Sequence, residues 1–381
     1  MRLFPRSFAT APFASLLAVT LLAVTPLAVV PLAVAAQGAS SAAVATIPQY
    51  VSIKIGTGAA AKTVSQLTVP FMFVVPISSR FNIDVATAYA ASEVRVNGAS
   101  ASKITGLTDT QVRANLTLGT DAVVLTVGAN LPTGQYRIDE QTEADAAGQI
   151  GNDFLLFPTS SYGAGLSTTG GIAVAHTLGN WNVGLAGSFR KSTQFDAFQA
   201  ASDTGRMTLT FTPADEVRAR LGADRTVGNG RLTVGVTYST FGNDMLANTS
   251  YATGNRYIGQ ASLYLPVGSS DLYLSGWGLY RAKGQQFGGV SNPETVMNGS
   301  VSIGFRAGGL VIEPSIEGRN WQVDGVKAGL LANGGLRLRW SAGPLTFMPS
   351  GTYQVGKLYS TSDGSSTDVS GWRMAMMLRV H

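Results

Sequence analysis

The chain has no cysteine and only two histidines, His176 and His381. The first absence removes a disulfide framework, a cysteine-ligated metal and a lipid-modified N-terminal cysteine, and it agrees with an oxidising compartment. With two histidines so placed, no His pair exists for a transition metal, and His176 is the only internal base for a nucleophile. It shares its parity with Ile172, Val174 and Leu178, which reads as a wall position, so we expect no enzyme, cofactor or metal. Charge is also scarce, 13 % of residues against roughly 25 % in soluble domains. Long apolar runs are missing too: after residue 36 none reaches the ~18 residues of a membrane-crossing helix.

Of 27 Lys and Arg against 22 Asp and Glu, Arg2 and Arg6 fall in an N-terminal leader, so the remainder carries a net charge of +3. The basic residues are dispersed and not clustered with aromatics, which argues against a nucleic-acid partner. Residues 1–36 read as a signal peptide: a positive start, an apolar stretch from Phe13 to Val34 broken by Pro26 and Pro31, and the small-residue cleavage site Ala33-Val34-Ala35. Residues 37–48 are a linker, and residues 49–381 form one body.

In that body apolar side chains recur at every second position over ten to fifteen residues, giving each strand one oily and one wet face. Leu310, Ile312, Pro314 and Ile316 alternate with Val311, Glu313, Ser315, Glu317 and Arg319. Leu336, Leu338 and Trp340 alternate with Arg337, Arg339 and Ser341, and the pattern recurs at Val112–Leu118, Val217–Leu221 and Leu232–Tyr238. Such runs are long enough to cross a bilayer at a tilt. Tight connections are read at Ser78-Ser79, Gly119-Thr120-Asp121, Gly179-Asn180, Pro213-Ala214-Asp215, Gly268-Ser269-Ser270, Gly308-Gly309 and Ala342-Gly343-Pro344. Longer polar ones lie near 192–204, 242–255, 284–295 and 360–368. Short turns at one end and long loops at the other predict an all-β, transmembrane, antiparallel up-and-down β-barrel of the bacterial outer membrane. The raw strand tally is about 17. Single-chain bacterial barrels have an even number, so we expect about 16, with 14 the nearest alternative, the error lying at Gln49 to Gly58 or in the pair flanking Pro213. Aromatics such as Tyr50, Phe71, Phe73, Phe81, Tyr89, Trp181, Tyr257, Trp340 and Trp372 sit near strand ends, where an interfacial girdle would put them.

The polar face carries Arg113, Arg190, Arg218, Arg220, Arg319, Arg337, Arg339, Arg373 and Arg379, with Asp84, Asp224, Glu313 and Glu317 of the same parity. Low-dielectric walls focus the field of such a lining on a permeant ion, so an arginine excess favours anions. The alternative is structural, arginines and carboxylates satisfying one another; Arg337 and Arg339 with Glu313 and Glu317 are the first such candidates. The irregular insert at 133–162 has an acidic part, Asp139, Glu140, Glu143 and Asp145, then four large apolar residues, Phe154, Leu155, Leu156 and Phe157. A short helix is expected at 142–147. An exposed loop has no use for that apolar cluster, so the insert is predicted to fold into or over the barrel mouth as a constriction or lid, or else to cap neighbouring loops.

Gly106-Leu107-Thr108-Asp109-Thr110-Gln111, followed by an alternating hairpin and closed by Asn130-Leu131-Pro132-Thr133-Gly134, resembles outer-membrane transporters of the phenol-degradation meta-pathway and long-chain fatty-acid transporter type. Thr108 stands where those families commonly have a second glycine, and the likeness covers about thirty residues. It implies a barrel that takes up hydrophobic compounds, and an N-terminal hatch for which the linker leaves little chain. The last strand, Trp372, Met374, Met376, Leu378 and Val380, is also similar to the closing strand read by the barrel-assembly machinery, although it ends in Val380-His381 and not in an aromatic. The expected partners are outer-membrane lipid, that machinery and a small-molecule solute. The function predicted is passage of small hydrophobic or anionic solutes through an arginine-lined lumen; the alternative is a plugged structural or adhesive barrel acting through its loops.

Overall fold

A computed structural model describes residues 43–380 apart from 98–100, 120, 121, 136, 139, 140, 203, 204, 287, 288 and 344. The signal peptide, Asp139, Glu140, Thr120, Asp121, Pro344 and His381 lie outside the described residues.

The alternating segments pair into a closed antiparallel barrel of sixteen wall strands. β1 has two pieces, Ala43–Ala45 and Gln49–Ile55; β2 is Lys62–Pro76 and β3 is Phe81–Val96. β4 is again split, Ser102–Leu107 and Thr110–Leu118, both pieces pairing with β3. There follow β5 Val123–Leu131, β6 Ser167–Leu178, β7 Trp181–Ser192, β8 Glu216–Val227, β9 Gly230–Phe241 and β10 Arg256–Val267. The circle is completed by β11 Ser270–Arg281, β12 Glu294–Ala307, β13 Leu310–Val323, β14 Val326–Ala342, β15 Leu345–Tyr359 and β16 Ser366–Val380. Closure comes from β16 against β1, Gln49 opposite Ala375 through Ile55 opposite Val369.

One end of the barrel has only tight turns, and glycines with positive φ (Gly119, Gly179, Gly228, Gly268, Gly308 and Gly343) open six of them. That backbone twist matches the twist of the paired strands and carries no steric cost for glycine. All long connections leave the opposite end. One corrects the sequence reading. Pro213-Ala214-Asp215 is not a tight turn between wall strands, because the strand before it, Gly205–Thr212, pairs with Phe195–Ser202 in a hairpin outside the wall. β7 therefore pairs directly with β8 across it. That hairpin strand was the surplus one, and Gln49–Ile55 is a wall strand.

Most outward side chains are bare hydrocarbon. Val127 and Ile316 are each 68 % exposed with no protein to cover them, as a lipid-facing band requires. No described helix is long and apolar enough to cross a membrane. The alternation inverts, however, toward the long-loop end of β1 to β4 and of β12 to β16. There Val51, Ile53, Val64, Ala90, Val94, Ile104, Val296, Leu331 and Val369 point inward and are buried. Outward positions at the same height are Ser52, Lys54, Ser65, Glu93 and Arg95. An apolar lining is stable only if something dry fills it, and the insert between β5 and β6 does so.

Candidate solute passage and its plug

The insert starts where the transporter-like motif ends, and the motif residues hold it. Asp109, in the break of β4, is buried and accepts three hydrogen bonds: from Asn130 Nδ2 at 2.7 Å, Gly134 N at 3.1 Å and Ala164 N at 2.7 Å. Both ends of the insert are thus fastened to one carboxylate. Gly134 is required sterically, since a Cβ there would lie 2.1 Å from the Tyr162 carbonyl oxygen and 2.6 Å from Asp109 N. Gly134→Ala should cost roughly 2 kcal/mol or more, seen as a lower urea midpoint and new protease cleavage between residues 135 and 166. An unchanged midpoint and cleavage pattern would contradict this anchoring.

From there the chain makes helix α1, Gln141–Ile150, three residues longer at its C-terminal end than the sequence suggested. Asn152 Oδ1 then accepts from Phe154 N and Leu155 N, turning the backbone so that Phe154, Leu155, Leu156 and Phe157 all become buried. Phe154 stacks on Trp321 at 5.3 Å, and its ring lies against Gly329, where a Cβ would approach it to 2.6 Å. Polar groups lock the remainder. The Gln66 amide exchanges two hydrogen bonds with the Thr159 backbone, at 2.7 and 2.8 Å. Lys62 Nζ donates to Gln149 Oε1, and Tyr162 OH donates to the Ile104 carbonyl at 2.9 Å. Burial pushes the Tyr162 hydroxyl up to about 12, so it stays a donor at neutral pH.

Arg319 on β13 and Arg373 on β16 have the inward parity expected of a solute lining, but they do not face solute. Arg319 Nη1 donates to the Phe154 carbonyl at 2.7 Å; Arg373 Nη1 and Nη2 donate to the Leu156 and Leu155 carbonyls at 2.8 and 3.2 Å. Both guanidinium groups are buried under the insert. They clamp its backbone at the tip, where Leu156 has a φ of 57°. Glu317 pairs with Arg319 and accepts from Asn298. Glu143 is half-buried and Asp145 exposed on α1.

The insert packs on the arc of wall from β11 round to β4, and across from it lies the arc from β7 to β11. Inward on it runs a cross-strand row in direct register: Arg218, Ser239, Arg256, Arg281 and Glu294. Arg190 and Glu216 flank its upper end and Arg220 lies one inward step below Arg218. Glu216 takes Arg218 at 2.7 Å and Arg190 at 3.3 Å; Arg281 reaches Glu294 at 3.0 Å and Asp153 of the insert. Five arginines thus meet three carboxylates. Arg256 lies 5.9 Å over the Phe241 ring, and buried nitrogens of Arg190 (Nε), Arg220 (Nη1) and Arg256 (Nε) have no hydrogen-bond partner. Nitrogens of this kind are costly to leave unpaired and mark where an anion would be welcome.

Elsewhere several inward arginines are matched by a carboxylate. Arg113 lies 3.6 Å from Asp84, with Asn115 bonded to the same carboxylate. Arg231 pairs with Asp224 and Arg306 with Asp271, both at 3.0 Å. Arg337 forks onto Glu313, the pairing expected from sequence, whereas Glu317 is engaged by Arg319. Arg339 and Arg379 continue the inward face toward the tight-turn end, Arg379 opposite Thr346. Arg256, Arg281, Glu216, Glu294 and Asp153 escaped the sequence reading because each lies at a strand end or in the insert, where alternation is too short to assign a face. His176 is outward, beside the Gly179-Asn180 turn, and meets no inward group.

No family profile matches the chain. No curated protein matches it either. Among solved structures it is similar to a loop-deletion mutant of OmpT, an outer membrane protein of Vibrio cholerae, at 10 % identity and a TM-score of 0.42, covering 88 % of this chain and 99 % of that one. A bacterial polysaccharide outer membrane secretin gives 8 % identity and 0.44 over 88 % and 98 %. A mutant porin of Rh. blastica gives 11 % and 0.37 over 88 % and 100 %.

Proposed function

We propose that this barrel is a channel of the bacterial outer membrane, exported behind its N-terminal leader, that passes small anionic solutes between the insert and the β7 to β11 wall. The observation that carries the reading is the arginine row: five guanidinium groups against three carboxylates, with buried nitrogens lacking acceptors. A permeant carboxylate or phosphate would find donors on the part-exposed side chains of Arg190, Arg218 and Arg281. Of the hydrophobic and anionic solutes suggested by the sequence, the anionic class fits this wall. The motif resembling phenol and fatty-acid transporters is engaged in anchoring the insert, which supports a shared hairpin and no particular ligand. No catalytic role is proposed, His176 being outward.

The test is the refolded full chain in a planar bilayer under a potassium chloride gradient. Stepwise conductance with a reversal potential on the chloride side is expected. Silent bilayers containing correctly folded protein would overturn the channel, and a potassium-side reversal would overturn its anion preference. Silence would favour the second reading, a plugged barrel that binds a partner through its loops, which the densely filled mouth supports. Trimming the hairpin at 195–212 would then abolish partner binding and leave permeability unaltered.

A further inference from the structure

Outside the barrel, on the arc from β15 through the seam to β4, the outward side chains follow one rule. On every strand of the arc but β2 the last bulky apolar residue is followed, toward the long-loop end, by a smaller residue and then by a charged one. The triplets are Tyr353, Val355, Lys357 on β15; Trp372, Ser370, Asp368 on β16; and Tyr50, Ser52, Lys54 on β1. On β3 they are Tyr89, Ala91, Glu93, and on β4 Leu107, Thr105, Lys103; β2 ends instead in Leu67, Ser65, Thr63. Register aligns them, with Tyr353 opposite Trp372, Lys357 opposite Asp368, Lys54 and Arg95 on either side of Thr63, and Glu93 opposite Lys103. Four residues at ~3.3 Å each place the charges about 13 Å along the strand from the aromatic edge, less in height once tilt is allowed for.

The charges do not cancel. Asp368 lies 3.7 Å from Lys357, and Glu93 contacts Arg95 at 2.5 Å and Lys103 at 3.5 Å. Lys54 has no acidic partner among the described residues, and Lys327 lies over the Tyr359 ring at 4.4 Å. On this arc four cations, Lys54, Arg95, Lys103 and Lys357, therefore face two carboxylates. Elsewhere at this height the pattern fails: on β7 and β8 the outward Lys191 is matched by Asp215 at 2.7 Å, and the carboxyl of Asp215 is held below its usual range by that lysine and the Ser192 amide. The cationic strip is thus confined to the arc behind which the insert is packed.

An apolar band, an aromatic edge and an excess of cations over carboxylates at one height form a surface suited to an amphiphile with acyl chains against the band and phosphates against the cations. We propose that this strip is a binding site for a phosphorylated lipid headgroup of the outer leaflet, contacted through Lys54, Arg95, Lys103 and Lys357. The site is outside the lumen and does not depend on what the lumen carries.

Native mass spectrometry of the detergent-refolded full chain tests it with bisphosphorylated lipid A, its dephosphorylated form and inorganic phosphate as separate probes. Bound bisphosphorylated lipid is expected to survive detergent removal, about tenfold more than the dephosphorylated form, with no retention of free phosphate. Retention independent of phosphorylation would overturn the proposal without any variant being made. K54Q/R95Q/K103Q/K357Q, with folding checked by heat-modifiable electrophoretic migration, should lose that tenfold preference while keeping wild-type conductance. A preference that survives the four substitutions would overturn it equally.

Discussion

Replacing Arg220 and Arg256 by glutamate should turn the reversal potential of the reconstituted channel toward the cation. The local balance of the arginine row passes from five cations and three carboxylates to three and five. Both positions are chosen because neither guanidinium has an ion pair to lose, and each new carboxylate gains a neighbour, Arg218 for residue 220 and Arg281 for residue 256. Charges ~6 Å apart at an effective dielectric constant of ~20 interact by about 3 kcal/mol. Even if screening removes half of this, the anion-to-cation permeability ratio should fall by at least about tenfold. The measurement is the reversal potential in a potassium chloride gradient, with unit conductance as the control that the pore has formed. A double variant that conducts normally and keeps the wild-type potential would show that ions do not pass along this wall.

The second large effect is expected from R319M/R373M. Methionine retains much of the packing volume but removes the donors to the Phe154, Leu155 and Leu156 carbonyls. Three buried acceptors would be stranded, at about 1–3 kcal/mol each, a penalty the insert escapes by leaving its seat for water. Mean conductance should at least double, and protease should cut between residues 150 and 162. Arg337→Met breaks an inward, less buried ion pair that does not touch the insert, so it should change neither. If R319M/R373M behaves like R337M, the two arginines are ordinary wall supports and the insert is held by its apolar cluster alone.

These arginines also show how far the sequence could be read. Their inward face follows from a parity opposite to that of Trp372, Met374 and Ile316, but their acceptors are backbone carbonyls 165 to 218 residues away, which local periodicity does not record. The barrel was legible because lipid outside and water inside impose period two wherever a strand crosses. Where the surroundings change, the same letters mislead. Val51, Ile53 and Ile55 alternate perfectly and would be assigned to lipid, yet a dry plug makes the inner surface the apolar one. Pro213-Ala214-Asp215 looked like a wall turn because turn chemistry does not reveal which end of a barrel it serves. The strand before it alternates for its own reason, Phe211 meeting Phe195 edge-on at 5.9 Å. The insert's helix and its four large apolar residues were visible as such, while Asp153 was not, since its role depends on the wall opposite.

The seam between the first and last strands is short: seven residue pairs join Gln49–Ile55 to β16 and one bridge, Thr46 with Leu378, continues it, against fifteen pairs between β15 and β16. Yet Val51, Ile53 and Val369, from the two sides of that seam, share one dry cluster with Phe154, Leu155 and Phe157. A segment from early in the chain thus rivets the joint from within, and the joint gains its full strength only once the latest-made strand arrives. Assembly should therefore finish in a single late event, with an open, unriveted sheet as the species preceding it.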